Sequence, residues 1–140
     1  VAMSQYLVEK YGPSDLRVMP DEPDYPAYLN WLFHSDATLT FPQTVVLRYK
    51  LQEPGVADAA VEGYSRWFVS RCKLLETTLE DKEYLCANRF TIADICVSYA
   101  FVVAESLGIH QAFKPNIKRY TDMLFEREAF KKSKALKFEE

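Results

Sequence analysis

The segment Phe90-Thr91-Ile92-Ala93-Asp94-Ile95 constrains this chain more than any other. A Thr hydroxyl can accept from the first free N–H groups of a helix, while an acidic residue three positions on reaches back to the Thr backbone. Phe90 and Ile95 can close over the same turn as a hydrophobic staple. A helix is therefore predicted to start at Ile92. It continues through Ile95, Cys96, Tyr99, Val102 and Val103 almost without charge until Glu105, and ends at Gly108. A helix apolar on nearly every side must be surrounded by other helices, so it belongs at the centre of a bundle.

The rest of the chain supplies those neighbours. Tyr25, Tyr28, Leu29, Leu32 and Phe33 recur at three- and four-residue spacing, giving a long amphipathic helix whose interior Pro42 should kink or divide it. Glu53-Pro54-Gly55 is a break. From about Val56 a second long helix aligns Val61, Tyr64, Phe68, Leu75 and Leu79. Asp81 to Asn88 reads as a loop with Tyr84 and Leu85 tucked inward, Pro115 opens a further helix carrying Ile117, Tyr120 and Leu124, and a short helix should run from about Glu128 to Leu136. No alternating Val/Ile/Thr run argues for a strand. The fold class is all-α, a bundle of about six helices. With 140 residues, 49% of them hydrophobic, the chain can bury a sizeable core.

The function classes this leaves are narrow. A net charge of −3 gives no cationic surplus for a phosphate backbone, so nucleic acid is not an expected partner. No apolar window is long enough to span a bilayer and no export signal is visible, so the expected location is the cytoplasm and no membrane partner is expected. Cys72, Cys86 and Cys96 lack CxxC spacing and read as small buried hydrophobes. His34 and His110 have no second ligand at metal spacing, and four glycines form no phosphate loop, so no metal and no cofactor are expected. Asp58, Glu62, Asp81 and Glu83 read as solvated charges, as do the closing lysines Lys131, Lys132, Lys134 and Lys137. His34, Ala37, Thr38 and Phe41 fall at helical steps and mix an apolar wall with hydrogen-bonding groups, a pattern that fits helix packing with a polar fringe as well as the wall of a small-molecule pocket.

Val1 to Pro13, VAMSQYLVEKYGP, is a helix that begins in mid-pattern and stops at Gly12-Pro13. Taken with Trp31-Leu32, the F-T-I-A-D box, the proline-led helix and Glu128-Ala129-Phe130, it resembles in order the helical C-terminal domain of the cytosolic glutathione transferases. The resemblance implies that residues 1–13 are the last helix of an otherwise missing thioredoxin-like domain, 14–23 an interdomain linker, and 24–140 the helical domain. In that family the missing domain activates glutathione, and a Glu/Gln-Ser pair expected just before Val1 grips its γ-glutamyl group. The helical domain lines the site of a hydrophobic electrophile and builds much of the interface of a homodimer. Glutathione is then a co-substrate of the parent protein, and the 140-residue chain alone is expected to be inactive. The resemblance assigns His34, Ala37, Thr38, Phe41 and Tyr99 to the electrophile site and Asp36 to the glutathione amine, with Thr91 and Asp94 kept for folding. Phe33 and Thr40 stand where one bacterial class carries Asn and His contacts to glutathione, which argues against that class. The competing reading is a standalone helical interaction module without catalysis. Truncation is expected to leave the helix of Met3, Tyr6 and Leu7 mobile, displaced or covered by a second copy.

Overall fold

The computed structural model describes residues 1–12 and 14–136. Its elements are α1 (Ala2–Tyr11), a 3-10 turn Ser14–Leu16, α2 (Tyr25–Phe33), α3 (Phe41–Leu47), α4 (Asp58–Thr78), α5 (Ile92–Leu107), α6 (Pro115–Phe125) and α7 (Glu128–Ala135), with no strand among the described residues. Two π-helical segments, His34–Thr40 and Arg48–Gln52, join α2 and α3 into one rod over residues 25–52. Counted as rods, there are six helices among the described residues.

The capping box at Thr91 is formed. Its hydroxyl accepts from the Ala93 N–H at 3.2 Å, and Oδ2 of Asp94 accepts from the Thr91 N–H at 2.8 Å and from the Thr91 hydroxyl at 3.1 Å. Asp94 has no exposed surface. Its Oδ1 reaches beyond the helix to accept from the Leu85 N–H at 3.1 Å and from the Tyr120 hydroxyl at 2.6 Å. Burial pushes the Asp94 carboxyl above the usual range, against the pull of these four donors. One side chain thus ties together the start of α5, the loop before it and α6. At the other end, Gly108 takes φ 72° and closes α5 in the left-handed conformation. The Lys50 ammonium donates to the last carbonyl, Leu107 O, where a cation also opposes the helix dipole.

α5 is the central helix. Val97, Ala100, Phe101 and Ala104 are fully buried, and Phe101 meets Phe113 and Tyr120 edge to face at 5.1 and 6.2 Å between ring centroids. Tyr28 from α2, Phe68, Leu75 and Leu79 from the α4 region, and Ile117 and Leu124 from α6 complete the core.

Helical backbone continues through Pro42. It can do so because the π-helical segment just upstream widens the backbone where a proline ring would crowd an α-helical turn. The Phe41 N–H bonds five residues back to Asp36 O, the mark of that wider turn. Gln43, fully buried, then links the rod to the centre of the bundle, its Nε2 donating to Leu39 O at 3.1 Å and Ala100 O at 3.0 Å.

The segment between α1 and α2 is held by Arg89. Its guanidinium forms a pair of 2.8 Å contacts with both carboxylate oxygens of Glu22 and donates to the carbonyls of Asp15 and Arg17. Ala87 and Asn88 just before it have φ of 54° and 49°, an uncommon conformation for residues with side chains. Asp24 Oδ2 accepts from the Ala87 N–H at 2.6 Å and helps to hold that turn. α1 buries Val8, while Met3, Tyr6 and Leu7 are mostly exposed. The Gln5 side chain accepts from Tyr28 Oη at 2.9 Å and fastens α1 to the rod. Lys131 pairs with Glu126 at 2.7 Å and Lys134 lies 4.0 Å from Glu105; Pro13 and Lys137 lie outside the described residues.

Candidate functional site

A cleft of about 370 Å³ opens where the N-terminal end of α1, the π-helical segment His34–Thr40 and the first turns of α5 converge. Val1, Ser4, Asp36, Thr40, Ile95 and Tyr99 line it. The geometry follows from the sequence in two steps. Ile95 and Tyr99 are one turn apart on α5 and form the one face of that helix's first turns left open, at 39% and 60% exposure. Opposite them the π turn carries Asp36 and Thr40, four residues apart, with Thr40 Oγ1 donating to Ser35 O at 2.8 Å. A second hollow of about 410 Å³, shared through Asp36, continues along the rod past Ala37, Phe33 and Leu29 to Gln5.

Of the residues singled out from the sequence, Asp36 and Tyr99 share the first hollow, and Asp36 and Ala37 the second. His34 and Phe41 turn towards α4. The His34 ring stands edge-on to Trp31 at 5.3 Å, and Phe41 meets Trp67 at 6.0 Å. Thr38 lines neither hollow. The separation has a simple cause: a π turn advances each residue through a smaller angle than an α turn, so a stripe at three- and four-residue steps no longer keeps to one face. Ile95, Ser35 and Ser4 were not singled out as site residues. The available signal was the exposed Ile95–Tyr99 pair on an otherwise buried helix.

The electrostatics of the cleft define what it can do. Asp36 is exposed and has no ion pair among the described residues, so it can accept hydrogen bonds from a cationic group. Ile95 and Tyr99 offer apolar surface. Burial pushes the Cys96 thiol, beside them, above the usual cysteine range, which disfavours the nucleophilic thiolate. Burial, with Arg71 nearby, holds the His34 imidazole below the usual histidine range, and its Nε2 has no hydrogen-bond partner among the described residues. No group of three metal-ligating side chains comes together among the described residues. The cleft is thus an apolar wall with one acidic end.

On the other side of the rod lies an aromatic band. Trp67 packs against Phe41 and Tyr64, at 5.4 Å for the latter, and the Arg71 guanidinium sits 5.7 Å from the Trp67 ring centroid. Phe41, Trp67 and Leu74 remain 38–50% exposed.

Residues 50–128, more than half of the chain, match the family described as glutathione S-transferase, C-terminal domain. The chain belongs to this family. The matched stretch takes in the end of the rod, α4, α5, α6 and the start of α7, and so contains the capping box and the groups buried around it. Glutathione S-transferase D7 of Drosophila melanogaster is 24% identical over 121 residues, which cover 85% of this chain and 52% of that protein. Among solved structures, the glutathione transferase URE2P8 of Phanerochaete chrysosporium, determined with oxidised glutathione, superposes with a TM-score of 0.81 at 20% identity, covering 94% of this chain and 61% of the other. Ure2p5 of the same organism, cocrystallised with 1-(S-glutathionyl)-2,4-dinitrobenzene, gives a TM-score of 0.81 at 24% identity, covering 94% and 64%. The shared feature is the helical fold of the transferase C-terminal domain. The chain spans about half the length of the Drosophila relative. No described helix is long and apolar enough to cross a membrane.

Proposed function

We propose that this chain is the helical domain of a glutathione transferase and supplies the wall of its electrophile site. In this reading residues 1–13 close a thioredoxin-like domain, 14–23 link it to the bundle, and 24–140 form the helical domain. The reading is supported by the cleft beside α1, where Asp36 faces Ile95 and Tyr99. Asp36 offers the acceptor for the glutathione ammonium, and Ile95 with Tyr99 offers apolar contact to the electrophile. In this reading the glutathione thiol is activated by the thioredoxin-like domain. The glutathione thiolate then attacks the electrophilic carbon and the leaving group departs with its electron pair, as chloride does from 1-chloro-2,4-dinitrobenzene. Phe41, Trp67 and Leu74 form the face of a homodimer, and the location that goes with this chemistry is cytoplasmic.

The experiment is to assay conjugation of glutathione to 1-chloro-2,4-dinitrobenzene with the 140-residue chain and with the same chain preceded by a thioredoxin-like domain. The longer protein should turn over and the chain alone should not. In the longer protein Tyr99→Ala should raise KM for the electrophile, and Asp36→Asn should raise KM for glutathione. Full turnover by the 140-residue chain, or indifference of both constants to both changes, would overturn the reading. Sedimentation should give a dimer that Trp67→Glu converts to monomer.

A further inference from the structure

The cleft of Asp36 and Tyr99 continues past Tyr99. A hollow of about 270 Å³ lies between α5 and α7, and Ile95 and Tyr99 line both spaces. Ser98 and Val102 extend the α5 wall, and Phe130, Ser133 and Lys134 stand on the α7 side.

A few side chains place α7, since none of its residues is fully buried. Phe130 stacks on Phe125 of α6, with 4.3 Å between ring centroids and 4° between planes, and the Arg127 guanidinium just before α7 lies 3.6 Å from the Phe90 ring centroid. Ser133 and Lys134 are thereby brought to the hollow. The Ser98 and Ser133 hydroxyls each donate at 2.8 Å within their own helix, to Ile95 O and Phe130 O, so neither proton is free for a ligand. Lys134 is the one cationic side chain lining the hollow. Its ammonium lies 5.9 Å from the Phe130 ring centroid and 4.0 Å from the Glu105 carboxylate, with 65% of the side chain exposed. A pair that long and that exposed holds the ammonium weakly, so it can turn into the hollow.

We propose that Lys134 determines which electrophiles the transferase prefers, favouring nitroaryl compounds with a nitro group para to the reacting carbon. This rests on the reading of the cleft given above. With the glutathione ammonium on Asp36 and the aryl ring against Ile95 and Tyr99, a para substituent extends into the hollow towards α7. The glutathione thiolate, its proton already lost in activation, forms a C–S bond at the carbon that bears chlorine. The displaced π electron pair moves through the ring to the para nitro oxygens. The C–Cl bond then breaks, chloride leaves with its pair and the ring regains aromaticity. The nitro group is most negative in the intermediate, so an ammonium beside it stabilises the transition state more than the bound substrate.

Two electrophiles of similar shape test this in the chain preceded by a thioredoxin-like domain: 1-chloro-2,4-dinitrobenzene, and 1-chloro-2-nitro-4-(trifluoromethyl)benzene, whose para group has no oxygen. Lys134→Met should lower kcat for the dinitro compound about tenfold, less than loss of a donor in a dry site because this ammonium is hydrated, and change kcat for the trifluoromethyl compound by less than about twofold. Lys134→Arg should restore most of the loss. In the 140-residue chain, 1-(S-glutathionyl)-2,4-dinitrobenzene should shift the methyl resonances of Ile95 and Val102. Both variants should keep the circular-dichroism melt of the native chain; if Lys134→Met melts early, the same comparison is made with Lys134→Gln. Turnover of both compounds with equal loss on both, or with no loss on either, would overturn the proposal and leave the transferase reading standing, as would shifts that omit Val102. Turnover of neither compound by the longer protein would overturn both.

Discussion

The Tyr120 hydroxyl donates to Oδ1 of Asp94 at 2.6 Å, inside a region with no exposed surface at either residue. The same carboxylate serves three further donors, so its removal strands more than a helix cap. Loss of a cap alone costs about 1 kcal/mol, and each buried donor left without a partner adds about 1–3 kcal/mol. Asp94→Ala should therefore destabilise the chain by about 3–5 kcal/mol in urea unfolding, while Thr91→Ser, which keeps the capping hydroxyl, should cost less than about 1 kcal/mol. Tyr120→Phe should fall between them.

Arg89 and Glu22 set an acid-dependent contribution to stability. The Arg89 guanidinium, with the Met19 N–H, holds the Glu22 carboxyl at about 2 against an ordinary 4.5. A carboxyl depressed in the folded state stabilises above its unfolded value and loses that contribution as pH falls. The contribution of Glu22 should thus fade between about pH 4.5 and pH 2. Asp94, raised by burial, acts in the opposite sense in acid, so the measurement is a difference: the gap in thermal unfolding between the native chain and Arg89→Met should narrow towards the lower end of that range, leaving the share held by the Asp15 and Arg17 carbonyls. At neutral pH the same variant should be cut faster by trypsin after Arg17, whose carbonyl Arg89 otherwise holds.

Gln43 distinguishes loss of a hydrogen bond from burial of a charge. Its Oε1 is buried without a partner among the described residues while its Nε2 serves two carbonyls. Gln43→Met removes both the bonds and the orphaned oxygen, so its cost should stay within about 1.5 kcal/mol. Gln43→Glu buries a charge facing carbonyl oxygens and should cost about 3 kcal/mol or more at pH 7, with the deficit shrinking in acid. Urea midpoints at pH 7 and pH 4 decide the matter.

The cysteines should behave unequally towards a thiol reagent at pH 8. Burial pushes Cys72 to about 12 and Cys86 to about 11 from an ordinary 9.0. Both should stay unmodified in the folded chain, and only half-buried Cys96 should react slowly. All three should react in urea. Because the folded values are raised, the stability these thiols contribute is present below pH 9 and should be lost as pH rises towards 11–12.

The features legible in the order of residues are local: the start of α5 at Thr91–Asp94, its stop at Gly108, the proline at the head of α6 and the all-helical class. Capping groups, glycine at positive φ and apolar periodicity act over one or two turns, so they can be read from neighbouring residues. The remaining features come from the packing of the helices. Neither π-helical segment has a signal of that kind, yet the first determined which of His34, Asp36, Ala37, Thr38 and Phe41 face the cleft. The reach of Asp94 to Tyr120, the hold of Arg89 on Glu22 and the anchoring of Gln43 on Ala100 join residues 26, 67 and 57 positions apart. Such partners are set by how the helices pack, because a side chain's charge and hydrogen bonds depend on what stands across from it after folding.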